Sequence, residues 1–384
     1  MKIALDKKSI LYYNLDMNKT SIFLDKFHGS KLEDKLKNTA PFIITLIEKY
    51  IKTVCEKFNV NNQFIQNLLE TKFEFTKYEN DTINSKSHLC ENFNKNLELT
   101  EKTLHFYYFF DELLQNKLPS TSNQNEIDKF KILAYQQISE LIHELNHATG
   151  LNRFCKLCDG KYIPLDKKET KLLLQTDFVY REKSGMAIER YSKSTSQKSI
   201  ANDMLYEALT EVLAHNVLNS SNFDDIQYVN VNSKRKDSYS LPFSYEPFST
   251  AIILFSYLDE NVFSQYFDKS KVTKENDIWD DIFRLVRPLC FSFYDLKNLE
   301  QEDNVENLLN ELVKNINELI NYFYSSLLSK NLGDRNKSDI AFEIENSLTN
   351  KEFWKNCIDF IDEQAVSTAL ENLTSIEDIR SNSL

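Results

Sequence analysis

Residues 143–147 read His-Glu-Leu-Asn-His. On a helix, positions four apart lie one turn apart, about 40° around the axis. Two imidazoles so placed can converge on one metal ion, and Glu144, next to the first of them, can point at an open coordination position. This is the H-E-x-x-H pattern in which a zinc ion activates water and the glutamate takes its proton. The expected chemistry is metal-assisted hydrolysis, with Zn2+ as cofactor. The plain alternative is two surface histidines on an ordinary helix.

A catalytic zinc ion needs a third protein ligand. Three residues past Gly150, where some zinc enzymes carry a third histidine, stands Arg153. Its guanidinium stays protonated and cannot bind a metal. Downstream, residues 206–211 read Tyr-Glu-Ala-Leu-Thr-Glu in a helical run. Glu207 and Glu211 share one face there. The first can ligate zinc, and the second can accept the remaining N–H of a ligating histidine. Acids inside the apolar run Leu205, Ala208, Leu209, Val212 and Leu213 need a partner. Hydrolysis also needs a group facing the developing oxyanion. The candidates are Tyr245, then His215, with Tyr191 and Arg190 behind them.

Taken together, HELNH and the following Glu-x-x-x-Glu helix resemble the gluzincins, the thermolysin-like clan of zinc peptidases. Members carry the third ligand on a second helix in an N-E-x-x-x-D/E pattern. Tyr206, Glu207 and Glu211 follow it, with Tyr206 in place of the usual Asn. The resemblance spans roughly residues 126–270. It implies a zincin-like core, a protein or peptide substrate, and a metallopeptidase with Glu144 as general base. Residues 147–153, His-Ala-Thr-Gly-Leu-Asn-Arg, are also similar to a run in antirestriction zincins that bind single-stranded DNA. That supplies the alternative reading, a zincin-fold binding protein without protease activity, either nucleic-acid-binding or a catalytically degenerate interaction protein.

The elements that must position these residues follow from periodicity. Ile127, Phe130, Ala134, Ile138, Leu141 and Leu145 recur at helical steps, so a helix is expected from a cap at Asn125 to Gly150 in the C′ position. Further helices are expected over 40–58, 200–219 and 247–267. From about residue 276 the chain reads as helical, with its longest amphipathic run over 304–328. Strands are expected at 10–15, 21–24, 72–78 and 104–110, with a hairpin over 176–192 turning at Gly185. Either that hairpin or the 104–110 strand is expected to be the edge that pairs with substrate backbone. The expected fold class is α+β, predominantly helical. The parts are an N-terminal α/β region (1–125), a zincin catalytic core (126–270) and a helical C-terminal region (271–384).

Composition sets the outer bounds. The 384 residues carry 46 basic and 58 acidic side chains, a net charge of -12, which argues against nucleic acid or anionic membrane as a partner. Five glycines and six prolines are few for this length and favour long helices. No stretch reads as a cleaved signal or a spanning helix, so a cytoplasmic protein is expected, with secretion by another route left open. Among six cysteines only Cys155 and Cys158 are close, and without a matching second pair they read as two reduced thiols in a loop.

Overall fold

The computed structural model describes residues 19–58, 60–78, 87–93, 99–158, 161–165, 178–183, 187–192, 198–201, 203–226, 228–229, 248–258, 262–268, 279–297, 305–329, 368 and 371–372. The protein is α+β and predominantly helical. It divides into two compact units, one of residues 1–206, 213–242 and 263–271, the other of residues 207–212, 243–262 and 272–384. Among the described residues no helix is long and apolar enough to cross a membrane.

The first unit opens with four helices: α1 (residues 19–28), α2 (Lys31–Thr39), α3 (Pro41–Lys57) and α4 (Asn62–Leu69). The strand expected at 21–24 is thus helical. Phe23 and Phe27, one turn apart, are both buried, and that spacing outweighs the short run Ile22 to Leu24, which fits either state. Ser30 caps α2 by accepting from the Glu33 amide at 3.1 Å, and Asn61 caps α4 by accepting from Gln63 at 2.8 Å. In α3, Phe42, Ile43, Leu46, Ile47, Tyr50, Ile51 and Val54 form one buried face.

Strands β1 (Lys72–Lys77), β2 (His88–Phe93) and β3 (Leu99–Tyr108) form a sheet in the order β1-β3-β2. β1 lies parallel to β3, and β2 antiparallel to it. Leu104 and Phe106 point into the core at 0% exposure, and His105 lies on the other face, as the two-residue repeat requires. After the short α5 (Asp111–Leu114) comes α6 (Gln124–Thr149), which packs against β2 and β3. Its N-cap is Asn123, accepting from Asn125 at 3.1 Å, two residues before the expected cap. Gly150 ends the helix with φ of -57°, so no left-handed residue terminates it.

A second sheet has the order β5-β4-β6-β7-β8. Its strands are β4 (Asn152–Cys158), β5 (Lys161–Pro164), β6 (Phe178–Lys183), β7 (Ala187–Ser192) and β8 (Lys198–Ala201), all antiparallel to their neighbours. The expected hairpin is β6–β7, with Phe178 opposite Ser192. It is not an edge, because β4 flanks β6 and β8 flanks β7. β3 is likewise the central strand of its own sheet. Neither strand expected to receive substrate therefore has an open side; among the described residues the edges are β1, β2, β5 and β8. Ile200 belongs to β8, which shortens the following helix to α7 (Asp203–Leu218). Cys155 and Cys158 lie in strand β4 and not in a loop.

The expected 247–267 helix is two: α8 (Phe248–Leu258) and α9 (Ser264–Phe267). The second unit contains α8, α10 (Trp279–Lys297) and α11 (Val305–Ser329), which pack together. Phe255 meets the rings of Phe323 and Tyr322 at 4.9 and 5.8 Å, and Asn315 donates to Ser292 Oγ at 2.7 Å. Residues 10–15, 185 and 245, on which sequence expectations also fell, lie outside the described residues.

Candidate metal centre

The last two turns of α6 carry the motif, and five contacts from outside the helix hold them. The Tyr50 hydroxyl in α3 donates to Asn146 Oδ1 at 2.9 Å and shares a hydrogen bond with Thr149 Oγ1 at 2.7 Å. Burial pushes that phenol well above its usual pKa, so it stays protonated. The ammonium of Lys102 in β3 donates to the Ala148 carbonyl at 2.5 Å, a favourable place for a cation at a helix C-terminus. Asn67 donates to the Gly150 carbonyl at 3.2 Å, and the Leu151 amide donates to Tyr266 O at 3.2 Å.

Lys102 belongs to a buried set of charges that joins both sheets. It lies 3.9 Å from Glu91 in β2. Glu91 accepts from Arg181 of β6 at 2.7 Å, and Arg181 donates through Nε to Glu189 of β7 at 2.5 Å. Burial alone would raise the Glu91 carboxyl, but Arg181, Lys102 and Lys183 hold it below the ordinary carboxylate range. Burial lowers the Lys102 ammonium, and Glu91 counters part of that.

On this anchored end, Nε2 of His143 and Nε2 of His147 lie 3.0 Å apart, with the rings nearly perpendicular at 79°. His143 is half-buried, and Glu144 and His147 are buried. Ligand atoms of His143, Glu144 and His147 all fall within 4.8 Å of one another, so the trio could hold a metal ion. Two nitrogens about 2.0–2.1 Å from one tetrahedral zinc would be about 3.3 Å apart, close to the observed spacing. A proton shared between the two rings fits the same distance. The donor set suits zinc or another metal that accepts imidazole.

Tyr206, at the start of α7, packs its ring 4.9 Å from that of His147. It is buried, stacks on Tyr266 with an interplanar angle of 3°, and carries the Lys183 ammonium over its ring at 5.5 Å. Sequence reasoning had noted Tyr206 only as a substitute for Asn; an aromatic ring before a Glu-x-x-x-Glu pattern was the available signal. His215, near the end of α7, is 2% exposed. Burial first, and then the charge of nearby His143, lower it to about 4, so it is neutral at pH 7.

Glu207 and Glu211 are half-buried residues of the second unit. Ser249 of α8 donates to Glu211 Oε2 at 3.0 Å, which fixes that carboxylate. Arg190 is exposed on β7, and Tyr245 lies outside the described residues. The structure thus brings together His143, Glu144 and His147, with His215 in the field of His143. No family model, curated protein or solved structure matches the chain.

Proposed function

We propose that this protein is a zinc-dependent peptidase of the gluzincin type, built on a zincin-like core. The observation that carries the reading is the 3.0 Å approach of two imidazole nitrogens beside a buried glutamate, on a helix end held by Tyr50, Asn67, Lys102 and Tyr266. His143 and His147 would hold the metal. Glu207, as third ligand, and Glu211, as the carboxylate accepting the free N–H of a ligating histidine, enter from the Glu-x-x-x-Glu pattern alone. A bound zinc ion supplies a water of lowered pKa and a Lewis acid for the scissile carbonyl.

Glu144 serves as general base and passes the proton to the leaving amine. His215 is a neutral, buried imidazole near His143 and can donate a hydrogen bond to a developing oxyanion. Tyr245 is the other candidate for that task. The edge strand β2 packs against α6, and an extended peptide could pair along it.

The test is metal analysis beside cleavage of unfolded casein and peptide libraries, with and without chelator, and a single-stranded DNA shift assay. One zinc per chain at this site with chelator-sensitive cleavage is the expected result. DNA binding with no such cleavage would favour the binding-protein reading, and failure to take up zinc would end the metallopeptidase reading.

A further inference from the structure

The exposed face of the first sheet carries a second constellation with metal-ligand chemistry. Glu74, His105 and His88 stand directly opposite one another on β1, β3 and β2, forming one row across the sheet. The row lies on the face opposite Leu104 and Phe106. It is therefore separate from the core side of β3, where Lys102 reaches the end of α6.

The row has the features a chelating pair needs. His88 and His105 stack with ring centroids 4.9 Å apart and an interplanar angle of 22°. Directly opposed residues have Cβ atoms about 4.5–5.5 Å apart. With His105 held beside Glu74, rotation of the His88 ring about its soft terminal torsion can bring one of its nitrogens toward His105 Nε2. Glu74 Oε2 lies 3.2 Å from His105 Nδ1. At that distance the carboxylate can accept the Nδ1 proton, which leaves the Nε2 lone pair of His105 for a ligand. The same carboxylate–imidazole pairing orients metal-binding histidines generally. His105 is 27% exposed along its side chain and His88 is exposed, so the pair is open to solvent ions.

We propose that His88 and His105 form a second site for a divalent transition metal that accepts imidazole, with Glu74 orienting His105 and water completing the coordination. Bound there, an ion ties the edge strand β2 to the central strand β3. The ordinary reading of such a row is a pair of stacked surface rings that only stabilise the sheet.

Equilibrium dialysis of the full chain against Zn2+ distinguishes them. Two zinc ions per chain are expected for the native protein, and one for His105→Ala, for His88→Ala and for His143→Ala. The His143 variant reports on the helix site alone, so failure of one site does not disguise failure of the other. Glu74→Gln should weaken the sheet site about 10–100-fold without affecting the helix site. As a second reading, zinc should raise the unfolding temperature of His143→Ala but add nothing further once His105 is also replaced. Unchanged zinc content in both His88→Ala and His105→Ala would overturn the proposal, whatever the state of the helix site.

Discussion

The hydroxyl of Tyr50 donates to Oδ1 of Asn146 at 2.9 Å across 96 positions of sequence, and so fixes the buried asparagine between Glu144 and His147. Replacing it with Phe keeps the ring and deletes the donor. Asn146 Oδ1 then loses that hydrogen bond inside the protein, at a cost of about 1–3 kcal/mol. Tyr50→Phe should lower the midpoint of denaturant unfolding with little change in its slope, and should loosen metal binding by the same helix end. Unchanged stability would show that Asn146 is held by other means.

The roles proposed for three carboxylates predict an order. Glu144→Gln should keep zinc and lose about 10²–10⁴ in rate, since the amide cannot take a proton. Glu207→Ala should lose zinc, with activity partly restored by adding it. Glu211→Ala should fall between, at about 10–100-fold. Zinc analysis beside peptide turnover reads all three. A Glu144 variant without zinc at the helix site, beside a Glu207 variant that keeps it there, would reverse the assignments.

Lys102 is 4% exposed and serves both Glu91 and the Ala148 carbonyl. Lys102→Met removes the charge at similar volume. Breaking a buried ion pair costs about 3–5 kcal/mol, and here the lower end is expected because Arg181 still holds Glu91 at 2.7 Å. Glu91→Gln made on top should recover part of the loss. A double-mutant cycle on unfolding free energy measures it, and a coupling near zero would remove Lys102 from the network.

His215 gives a pH signature of known sign. Its folded pKa, about 4, lies below the 6.5 of an unfolded histidine. The unfolded chain therefore binds the proton first, and the contribution to stability is full above pH 6.5 and falls away toward pH 4. At about 1.4 kcal/mol per pH unit, the whole effect is about 3 kcal/mol, with about 2 kcal/mol gone by pH 5. His215→Gln should flatten that part of the stability profile between pH 7 and pH 5. An identical slope in the variant would show that other groups carry the acid sensitivity.

What could be read in the chain beforehand was whatever repeats locally. The apolar period of α6, the two motif helices and the amphipathic run of α11 are patterns within one element, and the β6–β7 hairpin is a pattern between immediate neighbours in sequence. Pairing was not legible. β8 is four residues long and abuts α7, so its sequence merged with the helix, and without it β7 looked like an edge. The helical state of residues 21–24 depends on where Phe23 and Phe27 are buried, which no four-residue window contains. The supports of the candidate site come from Tyr50, Asn67, Lys102 and Tyr266, distant in sequence from α6. Nothing in the composition of a tyrosine or a lysine announces such a contact.

The strand order β1-β3-β2 has a consequence for the growing chain. β1 and β2 emerge first, but among the described residues each is paired in this sheet with β3 and not with the other. Until Leu99–Tyr108 has left the ribosome, the nascent polypeptide holds two strands whose backbone groups have no partner within the sheet. One of them carries Phe73 and Phe75 along one side. Unpaired strands with aromatic side chains are templates for intermolecular pairing. A truncation before residue 99 therefore leaves the chain adhesive, and emergence of residues 99–108 quenches both strands in one step.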